Sequence, residues 1–146
     1  MTWVALVAGL AFLAAARRML TVVTVRGTSM APTLADGQRV LAVRRGRYVR
    51  GDVVVFRVAG PPVVAGDPVW RVKRVAAVGL DSVPPWMGPG RAGTVPAGTV
   101  VVSGDNARSQ DSRHLGFVPV AAIAGRVLRA SAAPRAADRP AGGSGA

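Results

Sequence analysis

The chain has 146 residues, with 19 Lys+Arg against 7 Asp+Glu, a single His and no Cys. That length suits one compact domain of about 100 residues with its ends. The missing thiols exclude a disulfide framework, a thiolate nucleophile and Cys-built metal sites, and one His argues against the usual multi-His metal centres. The net charge of +12 is carried by arginines scattered along the chain, with 5% aromatics and no nucleic-acid-binding motif. It therefore reads as a solvated surface near anionic lipid, with no nucleic acid as partner.

The first predicted element is an apolar helix. Trp3 to Ala16 carries no charge, Arg17 and Arg18 follow, and a second apolar run leads to Val25. Continued to Thr24, one helix would rise about 33 Å, enough for a hydrocarbon core of about 30 Å, with the arginines snorkelling to an interface. Residues 1–24 are thus expected to form a single-pass membrane anchor. Two other readings are a buried core helix and a cleaved signal peptide ending at Ala14–Ala16; no charged stretch precedes the apolar run, which weakens the latter. Taken alone, Arg17 and Arg18 would place the rest of the chain on the cytoplasmic side.

Beyond the anchor the pattern turns to strands. Arg39–Val43, Asp52–Val58, Trp70–Val78 and Thr99–Ser103 are rich in Val, Leu and Phe and bounded by turn residues such as Asp36-Gly37, Gly60-Pro61-Pro62 and Gly104-Asp105-Asn106. A last run, Phe117–Leu128, is interrupted by Pro119 and Gly125, and Ser82–Gly98 reads as a Pro/Gly-rich loop or short hairpin. From Ala130 the Ala/Pro/Arg/Gly composition has no apolar face to bury and predicts a disordered tail, 130–146. The expected fold is a mostly β domain over 25–129, hung from one N-terminal transmembrane helix.

Three segments place reactive residues beside backbone-fixing ones. In the first, Gly27 and Pro32 flank Ser29, which would hold a hydroxyl rigidly with its own N–H free for an oxyanion. In the second, Lys73 is the only lysine of the chain, so it is the one side chain able to supply a neutral amine. Strand alternation puts it on one face, away from Val72 and Arg74, and burial among valines would disfavour its charge. In the third, Asp111 and Arg113 can pair across a turn while Ser109 orients a nearby amine. Each segment also has a plain reading, as a polar loop, a surface lysine and a decorated turn. His114 reads as a surface histidine, and Trp70 and Trp86 as core or membrane-interface residues.

Taken in order, Ser29-Met-Ala-Pro-Thr-Leu34, Gly51-Asp-Val-Val-Val-Phe56, Arg71-Val-Lys73-Arg-Val75 and Gly104-Asp-Asn…Asp111-Ser-Arg113…Gly116-Phe-Val-Pro119…Gly125 resemble the successive boxes of bacterial type I signal peptidases. The resemblance spans residues 22–129. It implies a Ser-Lys dyad, with Ser29 as nucleophile, Lys73 as general base, Ser109 orienting the lysine, and Asp111–Arg113 as a structural salt bridge. It also implies cleavage of exported preproteins after small residues at positions −1 and −3, no cofactor and no metal, and a catalytic domain on the extracytoplasmic face of the cytoplasmic membrane. That location opposes the orientation drawn from the two arginines. By position, Val25, Met30, Leu34 and Val72 are the expected pocket walls.

Several residues depart from the family pattern. Gly27 stands where some members carry a hydroxyl donor, Gln38 and Leu80 replace a common Asp and Gly, and the stretch from Asn106 to Asp111 is one residue shorter. The large extra β region of some members is reduced to Ser82–Gly98. A dedicated maturation peptidase for one secreted product, a self-cleaving regulator and a catalytically silent membrane-tethered β binding module are the rival readings.

Overall fold

The computed structural model describes residues 2–58 and 70–131. The predicted turn at Gly60-Pro61-Pro62 and the tail beyond Ser131 lie outside the described residues. The elements in chain order are α1 (Thr2–Met19), β1 (Leu20–Thr24), β2 (Arg39–Val43), β3 (Val53–Arg57), β4 (Trp70–Val78), β5 (Thr99–Ser103), α2 (Ser112–Leu115), β6 (Val118–Pro119) and β7 (Ile123–Ala130). All seven strands form one antiparallel sheet in the order β1-β2-β7-β3-β4-β5-β6.

The anchor prediction is corrected at its C-terminal end. The helix stops at Met19, and Leu20–Thr24 pairs with β2 in full register, from Leu20 opposite Val43 to Thr24 opposite Arg39. The run Thr-Val-Val-Thr is β-branched throughout, so its side chains suit a pleated surface better than a helix. What remains rises only about 27 Å and has Arg17 and Arg18 in its last turn. Among the described residues no helix is long and apolar enough to cross a membrane. The helix nevertheless stands clear of the sheet, with Trp3, Val4, Leu6, Val7, Leu10, Phe12 and Leu13 all exposed.

The central strands are apolar on both faces, which is why their sequences read as unbroken Val runs rather than alternations. Val54 and Phe56 of β3 join Tyr48, Val75, Val100, Val102 and Ile123 on one side. Val55, between them, faces the other side and packs with Val25, Met30, Leu34, Val40 and Val72. A third cluster, Ala77, Met87, Val95 and Val101, lies under the Ser82–Gly98 stretch. That stretch contains two short 3-10 turns, Pro85–Met87 and Pro89–Arg91, and one bridge between Ser82 and Thr94. Sheet register shifts occur between β4 and β5 at Val75/Ala77 and along β7 at its pairings with β2 and β3. These shifts add local twist and help the sheet curl.

Leu80 and Gln38, at the two turns noted in the sequence, are both accommodated. Leu80 takes φ +76°, a left-handed conformation unfavourable for a side chain. It is held there by its N–H to the Val95 carbonyl at 2.9 Å and by the Asp81 carboxylate accepting from the Val78 N–H at 2.9 Å. Gln38 is buried, its Oε1 accepting from the Ala35 N–H at 2.9 Å and its Nε2 donating to the Ser131 carbonyl. It thereby ties the end of β7 to the loop that follows Ser29.

Candidate active site

Ser29 lies in the loop that leaves β1. Val25 begins this loop, donating its N–H to the Gln38 carbonyl and accepting from the Gly37 N–H, both at 2.8 Å. Gly27 has φ +81°, and its N–H donates to Asp36 Oδ1 at 2.8 Å. This is a left-handed backbone conformation, which glycine adopts without steric cost. After Ser29 the chain enters the core through Met30 and Leu34, with a cis peptide between Ala31 and Pro32. The Ser29 carbonyl accepts from the Asn106 N–H at 3.1 Å, and Asn106 Nδ2 donates to the Thr28 carbonyl at 3.1 Å. The serine loop is thus clamped to the loop that follows β5.

Lys73 sits on β4 opposite Val54 and is 2% exposed. Its Nζ donates to Ser109 Oγ at 2.8 Å, and the Ser109 hydroxyl in turn donates to the Gln110 carbonyl at 3.3 Å. With the serine proton engaged elsewhere, Ser109 fixes the direction of the amine without occupying its lone pair. The Lys73 pKa is lowered from 10.5 to about 8, first by burial and then by the Arg71 guanidinium, against the opposing pull of the Asp111 carboxylate.

Two ion pairs brace the surroundings. Arg113 grips Asp111 with two nitrogens, Nε to Oδ1 at 2.9 Å and Nη2 to Oδ2 at 3.0 Å. Asp111 also caps α2, its Oδ1 accepting from the Arg113 N–H at 3.1 Å. Next to Lys73, Arg74 holds Asp105 through Nε and Nη2 at 2.8 and 2.7 Å and donates to the Gly51 carbonyl at 3.0 Å. Asp105 is kept below the usual carboxylate range, first by its hydrogen bonds from Arg74.

Ser29, Lys73 and Ser109 open on one cavity of about 260 Å³, with Val25 and Val72 in its wall. No hydrogen bond joins the Ser29 hydroxyl to the Lys73 amine. The two groups line the same cavity. The Ser29 N–H donates to no group among the described residues and is available to an oxyanion. Of the four expected pocket residues, Met30 and Leu34 lie in the apolar cluster beneath the wall and do not reach the cavity. His114 is exposed on α2 and lines no part of the cavity. Trp70 is at the cavity rim and 44% exposed, and Trp86 is 41% exposed, so neither is a core residue.

Gly104 was legible only as part of a turn, yet the site depends on its having no side chain. A Cβ there would overlap Ser109 Cβ and Oγ and lie 2.6 Å from the Ser29 carbonyl oxygen. No spacing in the sequence signals that the serine loop and the loop after β5 converge at this point.

A dehydrated amine, an orienting hydroxyl and a loop serine around one cleft have the layout of a serine peptidase. The family model described as signal peptidase, peptidase S26, matches residues 1–84 and 82–130, and the chain belongs to that family. Comparison with curated proteins returns no match.

Proposed function

We propose that this chain is a Ser-Lys endopeptidase that removes signal sequences from exported preproteins, with Ser29 as nucleophile and Lys73 as general base. The observation that carries the reading is the Lys73 amine, buried, aimed by Ser109 and opening on the cavity that Ser29 shares. With a pKa of about 8, about one molecule in ten holds a neutral amine at pH 7, against about three in ten thousand at 10.5. The neutral amine takes the Ser29 proton as the hydroxyl attacks the scissile carbonyl. The Ser29 N–H receives the developing oxyanion, a role made larger by the absence of a side-chain donor at Gly27. The ammonium then protonates the leaving amine, and the regenerated base activates the water that hydrolyses the acyl-enzyme.

Val25 and Val72 form the wall that meets the small side chains at −1 and −3. Met30 and Leu34 support that wall from beneath, so larger substrate side chains meet a packed core rather than a yielding surface. Asp111 and Arg113 fix the loop that carries Ser109.

The N-terminal helix is the membrane attachment in this reading. Among the described residues its large apolar side chains from Trp3 to Leu13 are exposed, and an exposed surface of that kind is a membrane or protein contact. Exported substrates place the catalytic domain on the extracytoplasmic side.

The test is cleavage of a preprotein by the full chain in detergent. Wild type should release the signal sequence, and Ser29→Ala should not. Lys73→Arg keeps charge and approximate length but cannot lose its proton, so it should be inactive as well. Retained cleavage in Lys73→Arg would remove the proposed base.

A further inference from the structure

Three arginines line the same cavity as Ser29 and Lys73: Arg26 from the serine loop, Arg71 from β4 and Arg108 from the loop after β5. Among the described residues no carboxylate lines it. The described carboxylates nearby are already engaged, Asp36 on the Gly27 N–H, Asp105 on Arg74 and Asp111 on Arg113. Arg71 donates Nη1 to Gln110 Oε1 at 3.0 Å, which turns it along the rim. Arg26 and Arg108 are exposed, and among the described residues neither guanidinium has an ion-pair partner. A cleft of one charge sign attracts ligands of the other.

We infer that Arg26 and Arg108 make this site select substrates with a carboxylate side chain beside the scissile bond, at position −2 or at the first residue of the mature product. The inference rests on the peptidase reading for the direction of the chain through the cleft. An extended peptide alternates its side chains. With the residues at −1 and −3 turned toward Val25 and Val72, those at −2 and +1 turn away from that wall toward the rim. A guanidinium there meets a carboxylate in bidentate geometry, which a substrate lysine cannot match. This adds a charge rule to the small-residue rule, and it narrows the preproteins the chain processes.

The experiment uses short peptides with Ala at −1 and −3 and Glu, Gln or Lys at −2 or +1. Cleavage is measured with the full chain in detergent, and binding is measured by fluorescence anisotropy with Ser29→Ala. Glu peptides should exceed Gln peptides, and Gln peptides should exceed Lys peptides, in both kcat/KM and affinity at one or more positions. Each arginine should contribute about two- to fivefold, the range of an exposed ion pair. Arg26→Gln and Arg108→Gln should each shrink the Glu-to-Lys ratio, as should high salt. Equal binding of Glu, Gln and Lys peptides would overturn the inference, as would a ratio unchanged in both variants. Discriminating binding with no cleavage by wild type would support the charge rule and overturn the peptidase reading instead.

Discussion

Replacing Lys73 by Met should abolish activity and yet stabilise the fold at neutral pH. Lowering the amine pKa from 10.5 to about 8, at about 1.36 kcal/mol per unit, means the charged amine costs the native state about 3 kcal/mol at pH 7. The sign follows from proton binding. Between pH 8 and 10.5 the unfolded chain holds the Lys73 proton and the native state has lost it, so stability rises with pH through that window. By pH 10 the cost has fallen below about 1 kcal/mol. Methionine fills a similar volume with no charge but leaves Ser109 without its donor, a loss of about 1 kcal/mol. The net gain at pH 7 is therefore about 2 kcal/mol, shrinking to nothing near pH 10. Urea unfolding of both proteins from pH 6.5 to 10 measures the difference curve, in which the other titrating groups largely cancel. Parallel curves, or a Lys73→Met variant less stable than wild type at pH 7, would refute the reasoning.

Two further outcomes follow from the geometry. Gly104→Ala should force Ser109 and the Ser29 carbonyl apart and lower kcat/KM by about a hundredfold or more, since a misplacement of about 1 Å is enough for that; a loss under about threefold would show that the loops yield. Arg71→Met removes a positive charge that holds the Lys73 pKa down, so the rising limb of the pH–rate profile should move to higher pH, and an unmoved limb would contradict the electrostatic argument.

Strand positions were legible where Val-rich runs end at turn residues. Arg39–Val43, Trp70–Val78 and Thr99–Ser103 form strands with the bounds their composition predicts. Leu20–Thr24 was not legible, because its apolar residues continue those of the helix and a short apolar run is ambiguous between the two states. Only the partner strand β2 decides it. The four-residue α2 is too short for any periodicity, although Asp111 as its cap was present in the Asp-Ser-Arg motif. Ser29, Lys73 and Ser109 were singled out through their motifs, and all three line one cavity. What the motifs did not carry is distance across the fold. The clamp from Gln38 to Ser131, the convergence on Gly104 and the placing of Met30 and Leu34 beneath the wall each join segments far apart in the chain.

Because Lys73 is the sole lysine, selective labelling of lysine with ¹³C at Cε gives a single side-chain resonance from the whole protein. Titrating that resonance by NMR in the full chain reads the ionisation of the base directly, independent of any substrate. A midpoint near pH 8 is the result expected of an amine dehydrated beside Ser29 and Ser109. A midpoint near the ordinary 10.5 would mean that the amine is hydrated and charged at neutral pH, and it would contradict the Ser-Lys mechanism.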